Sequence, residues 1–124
     1  MPKKDKRLER KYARQRVKRG YSDRDVWDID LWFLSVMSKM LQQLKETRHG
    51  SPAELGESYV NDDGVMVNDK CHEEWDKILD RMIFLLGEMK VDISEISREK
   101  AQYREDCKNE FFDLFSKYFW YLWD

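Results

Sequence analysis

Past Gly87 the chain has neither glycine nor proline in its last 37 residues (124 − 87), so nothing in that stretch forces a helix to stop. Apolar side chains there fall at helical spacing. Phe111, Phe115, Tyr118 and Leu122 share one face, with Leu114 and Tyr121 beside it; Phe112, Phe119 and Trp123 form a second stripe. Trp120 stands nearly opposite the first face. The pattern predicts a helix over 97–122 that is apolar on more sides than two neighbouring helices cover. Such a surface calls for extra core contacts or for another chain.

Two further helices are legible upstream. Ser22 with Asp25 three residues on resembles a capping box, and the stretch 22–47 reads as one long helix. Its stripe is Val26, Ile29, Phe33, Val36, Met37, Met40 and Leu44, widened by Trp27, Leu34 and Leu41. His49-Gly50-Ser51-Pro52 ends it. Trp75, Ile78, Leu79, Met82, Leu86 and Met89 line one face of a helix over 72–90, with Phe84 turned away. The connection between these helices is irregular. Within it, Asn61-Asp62-Asp63-Gly64 between β-prone flanks marks a small hairpin. It is not a calcium loop, because Tyr59 and Lys70 occupy the ends where an EF-hand needs acids.

Charge divides the chain unevenly. Residues 1–21 hold ten Lys/Arg against Asp5 and Glu9, a net of +8, and the remainder is −10. The expected organisation is therefore a basic arm over 1–21, disordered or made helical when something neutralises it, and a helical domain over 22–124. The apolar residues of the arm, Leu8, Tyr12, Ala13 and Val17, specify no packing face. There is no run of about 18 apolar residues for a membrane span and no apolar stretch after the basic start that would make a secretory signal. The aromatic end lacks the basic polar face of a membrane-surface helix. Cys71 and Cys107 do not make a disulfide framework, which suits a reducing cytoplasm.

Candidate chemistry is sparse. Asp30 lies near the centre of the first stripe, where a carboxylate must be paired or face a pocket. Asp76 with Asp80, and Asp106 with Glu110, are acid pairs one helical turn apart that could hold Mg²⁺ for nucleotide hydrolysis. Lys77, Arg81, Arg104 and Lys108 beside them favour ion-pair faces instead. Cys71, His72, His49 and Cys107 fit no common zinc spacing, and buried cysteines with exposed histidines are the expected arrangement. No phosphate loop or nucleophile motif is present, and no cofactor, metal or catalytic residue is expected.

The segments "KRGYSDRDVWDIDLWF", "EEWDKILDRMIFLL" and "YREDCKNEFFDLFSKYFWYLWD" resemble a family of small helical proteins encoded by tailed phages and prophages of gut and Firmicutes-type bacteria. The resemblance covers roughly residues 18–124. Where the family has Gly-Tyr-Pro in the loop, this chain has Gly50-Ser51-Pro52. It implies action in a bacterial host cytoplasm and brings no catalytic residues with it.

These readings combine into a mainly α fold: a three-helix bundle with an irregular loop between its first two long helices and a basic N-terminal arm. The expected function is a non-enzymatic binding protein of phage counter-defence, capturing a small nucleotide signal or a host protein. One alternative is a nucleic-acid-associated phage protein using Arg10, Lys11, Arg14, Arg16, Lys18 and Arg19 of the arm; another is a Mg-dependent nucleotide hydrolase. Ligand-binding candidates are Trp27, Asp30, Trp75, Tyr103 and Arg104. Homo-oligomerisation is expected through Phe112, Phe119, Trp120 and Trp123.

Overall fold

The computed structural model describes residues 5–48 and 50–123, and at positions 53, 57–59 and 66–69 the backbone alone. Lys3 and Lys4 of the basic arm, the zinc candidate His49 and Asp124 lie outside the described residues. The chain is mainly helical and forms two units, Met1–Phe33 and Leu34–Asp124.

In the N-terminal unit the basic arm carries α1, Lys6–Arg19. The Asp5 carboxylate starts it by accepting from the amides of Arg7 (2.9 Å) and Leu8 (3.4 Å), the ordinary work of an N-cap. Gly20 closes it at φ +88°, a left-handed turn that costs glycine nothing. The Ser22–Asp25 capping box is present: Asp25 Oδ2 accepts from the Ser22 amide at 2.8 Å and Ser22 Oγ from the Asp25 amide at 3.2 Å. It begins a short helix α2, Asp23–Trp27.

The helix expected over 22–47 is therefore two helices. Asp28 leaves the helical region (φ −137°, ψ 62°), and α3 restarts over Ile29–Thr47, with the Trp32 amide donating to the Asp28 carbonyl. Asp23, Asp25, Asp28 and Asp30 crowd this stretch, and aspartate is a poor interior helix former whose side chain competes for backbone donors. The break corrects the reading of Asp30. A wheel drawn continuously through 22–47 put it at the centre of a buried stripe, whereas it is exposed, as are Val26, Trp27 and Ile29.

In the C-terminal unit, α4 (Cys71–Glu88) and α5 (Arg98–Tyr118) form the central pair. Arg104 Nε donates to the Met89 carbonyl (3.0 Å), Arg81 to Glu110 (2.5 and 2.8 Å), and Trp75 meets Tyr118 edge-on, so the two helices run antiparallel. Between them lie Trp75, Leu79, Met82, Leu85, Leu86, Met89, Cys107, Phe111 and Tyr118, all buried. The face read from the sequence for 72–90 is the buried one, and Phe84 is exposed as its position required.

Helix α3 presents a different row from the expected one. Leu34, Ser38 and Leu41 are buried, and the same row continues to Lys45 and Arg48, which pair with Asp80 (2.7 Å) and Asp76 (2.5 Å) on α4. Met37, Met40 and Leu44, the centre of the predicted stripe, do not enter the core.

The loop holds a two-stranded antiparallel hairpin, β1 (Glu57–Val60) and β2 (Met66–Asp69), with Val60 opposite Met66. Asn61 organises its turn: the side-chain oxygen accepts from the amides of Asp63 (3.0 Å) and Val65 (2.9 Å), and Gly64 takes φ +78°. The final helix stops earlier than expected. After Tyr118 the chain tightens into a 3-10 turn, Phe119–Tyr121, closed by Leu122 N–H to the Phe119 carbonyl. The carbonyls of a last helical turn lack i+4 N–H donors, and such a turn commonly tightens in this way. Among the described residues no helix is long and apolar enough to cross a membrane.

Candidate functional site

A concavity of the C-terminal unit lies between α3 and the aromatic end of the chain. Its volume is about 760 Å³, and Met37, Met40, Leu44, Phe115, Phe119 and Trp120 provide most of its apolar wall. Leu41, Leu122 and Trp123 complete that wall, and the polar lining consists of Gln43 and Thr47. The groove follows from helix periodicity. On α3 the row 34-38-41-45-48 faces α4, and the row 37-40-44-47, one residue behind it, faces the aromatic end.

The aromatic side chains of that end form a connected ladder. Phe111 and Phe115 stack at 5.3 Å, Phe115 meets Phe119 edge-on at 5.3 Å, and Phe119 meets Trp120 edge-on at 5.0 Å. Offset and edge-on geometries are those an aromatic quadrupole favours. The ladder runs from core to surface: Phe111 is fully buried, Phe119 is 46% exposed, and Trp120 and Trp123 are 82% and 73% exposed. The four residues expected at an interface, Phe112, Phe119, Trp120 and Trp123, are all exposed. Phe112 sits apart from the groove lining; the other three belong to it. Below the ladder, the Glu54 carboxylate from the loop pushes the Tyr121 hydroxyl above its ordinary pKa by accepting its hydrogen bond.

The five ligand-binding candidates do not make one pocket. Trp27 and Asp30 belong to the N-terminal unit, where both are exposed and Trp27 meets Tyr12 edge-on at 6.2 Å. Within the C-terminal unit Trp75 is a core residue near the start of α4. Arg104 reaches the Met89 carbonyl just past the other end, about 20 Å away along the helix axis. The neighbouring Tyr103 hydroxyl lies against the Cys107 thiol, which raises its pKa.

Three of the four acids in these pairs face cations. Asp76 and Asp80 pair with Arg48 and Lys45, Glu110 with Arg81, and Asp106 accepts from Gln102 at 2.9 Å. The carboxylate of Glu110 is lowered, and the guanidinium of Arg81 raised, by their shared hydrogen bonds. Cys71 and Cys107 are buried and His72 is exposed, its Nδ1 2.6 Å from Ser51 Oγ. No group of three or more His, Cys, Asp or Glu able to hold a metal occurs among the described residues.

Sequence reasoning missed Arg48. Its guanidinium, 10% exposed, holds Asp76, donates to the Lys45 carbonyl (2.6 Å), and approaches Ser51 Oγ and the His72 carbonyl (both 3.4 Å). One side chain thus joins the end of α3, the loop and the start of α4. A basic residue just before a glycine stop was the available signal, since such residues cap helix C-termini. Comparison with family models, with curated proteins and with solved structures finds no match to this chain.

Proposed function

We propose that the chain is a non-enzymatic binding protein of phage type, acting in a bacterial host cytoplasm against host defence, and that it works as a homodimer. In this reading α3, α4 and α5 form a three-helix bundle whose α3–α5 seam is open, and the seam is where a second copy docks. The observation that carries the proposal is the groove itself, lined almost entirely by apolar side chains. Among the described residues no cation lines it, so the lining described offers nothing to a phosphate. It therefore favours a protein surface over a nucleotide signal.

The second copy is the occupant because groove and knob belong to the same patch. Trp120 and Trp123 project from the rim, and under a twofold axis the rim of one chain enters the groove of the other. Each large side chain so covered gains about 1.5–3 kcal/mol over leaving it wet. Light scattering at micromolar concentration is expected to give twice the chain mass. The double variant Trp120→Ala/Trp123→Ala should give a folded monomer. A wild-type monomer at that concentration would remove the dimer and leave the groove to a host protein.

A further inference from the structure

The basic arm is sorted by its structure into two opposite faces, and only one of them is neutralised. On α1 the side turned towards α2 carries Tyr12, buried against Trp27, and Arg16, which holds Asp25 through two bonds of 3.1 and 2.9 Å. Arg19 pairs with Asp23 on the same side. Gln15 is also engaged, donating to the Asp23 carboxylate at 2.9 Å and accepting from the Asp23 amide at 2.8 Å. Asp23 and Asp25 are thus both spent on one flank of α1.

The other face holds Arg7, Arg10, Lys11, Arg14 and Lys18, within an arc of about 100° at 3.6 residues per turn. All five are exposed, and none forms an ion pair among the described residues; Lys11 contributes only a weak longer-range pull on the Asp23 carboxyl. From Arg7 to Lys18 the row runs about 16 Å along a helix fixed at both ends by Asp5 and Gly20.

We propose that this face of α1 binds the phosphate backbone of duplex DNA without regard to sequence. Five cations on one rigid face, with no carboxylate among them, match the dense, regular phosphate charge of a duplex. Single strands are held by rings on which bases stack, and this face has none: Tyr12 is buried and Tyr21 lies beneath Arg19. The amide side chain of α1 that could read adenine, Gln15, is occupied by Asp23; that leaves backbone contacts to dominate. A membrane-surface helix would need an apolar stripe beside the charges, and the large exposed apolar residues of α1, Leu8 and Val17, lie on opposite sides of this row and form no stripe. The inference concerns the N-terminal unit and is independent of the groove.

The test is fluorescence anisotropy of a labelled duplex of about 20 base pairs with the full chain, as salt rises from about 50 to 200 mM. Five phosphate contacts predict a log–log salt slope of roughly −4 to −5. Arg10→Gln/Arg14→Gln should make the slope shallower by about 2 and weaken binding at least about tenfold at low salt. Lys117→Gln, outside α1, should change neither. The proposal is overturned by a wild-type slope flatter than about −2, by preference for a single strand of the same length, or by phosphatidylserine vesicles that bind more tightly than the duplex. It is equally overturned if the double variant, its helicity checked by circular dichroism, binds like wild type. Because the wild-type slope needs no substitution, a variant that fails to fold leaves that slope to decide.

Discussion

At the scale of single residues, the ion pairs of this protein differ in what surrounds them. Arg48 is nearly enclosed and its removal strips partners from Asp76 and two backbone carbonyls. Arg48→Met is expected to lower stability by about 1–3 kcal/mol, the cost of leaving such groups unmatched. Lys45→Met breaks the Asp80 pair, both partners of which are more than a third exposed, and should cost under about 1 kcal/mol. Urea midpoints for the two variants check the order; equal losses would mean Arg48 is no junction. Asp25 gives a pH signature. Arg16 and then the Ser22 amide hold its carboxyl far below the ordinary 3.8. A depressed carboxylate contributes stability that is present above its unfolded value and lost as pH falls through the folded one. The Ser22 amide resonance should therefore keep its position through pH 4 and move only in stronger acid. A midpoint at the ordinary carboxylate value would show that the Arg16 contact does not hold in solution.

At the scale of elements, the strength of the hydrophobic period decided what could be read beforehand. The helix at α4 was legible because its apolar residues keep one face for the whole length, and its exposed Phe84 proved as informative as its buried leucines. The break at Asp28 was not legible, since Val26, Ile29 and Phe33 keep helical spacing across it and the signal against a helix was only four aspartates, poor interior helix formers. The end of α5 was hidden for the opposite reason: no glycine or proline there signals a stop, and a last turn commonly tightens without one. Burial along one helix also separates residues of the same chemistry. Phe111→Ala is expected to cost about 3–5 kcal/mol, as for a fully enclosed phenylalanine. Phe119→Ala, at a half-exposed site, should cost no more than about 1 kcal/mol in the monomer, the scale of an ordinary substitution. Denaturation of both variants, made on a monomeric background, tests the burial gradient; similar costs would contradict it.

At the scale of the whole molecule, the surface was less legible than the core. The exposed set Phe112, Phe119, Trp120 and Trp123 followed from counting how many sides of one helix two neighbours can cover. The opposite wall of the groove did not, because Met37, Met40 and Leu44 are indistinguishable from core residues until the neighbouring row of α3 is seen to take that place. That Trp75 and Arg104 lie near opposite ends of α4 was not legible for a related reason: aromatic and charged residues were chosen by type, and type does not say which end of a helix they occupy. The two faces of α1 lay beyond reach for the same cause, since the pairing of Arg16 and Arg19 depends on a turn at Gly20 that brings α2 back beside them.

The two cysteines of the C-terminal unit have a use that their chemistry alone does not suggest. Cys71 begins α4 and Cys107 sits midway along α5, each shielded from solvent by the packed helices. A thiolate reacts with an alkylating reagent only when it is reached, so the rate of labelling measures how often each place opens. Cys71, at a helix start joined to the loop, should label faster than Cys107 in native buffer. Under mild denaturant the two rates should converge as global unfolding becomes the common route. Mass spectrometry of singly labelled chains reads both rates at once, and faster labelling of Cys107 would place the weak point of the unit in α5. The protein thus contains an internal clock for its own breathing, with two hands set at different depths.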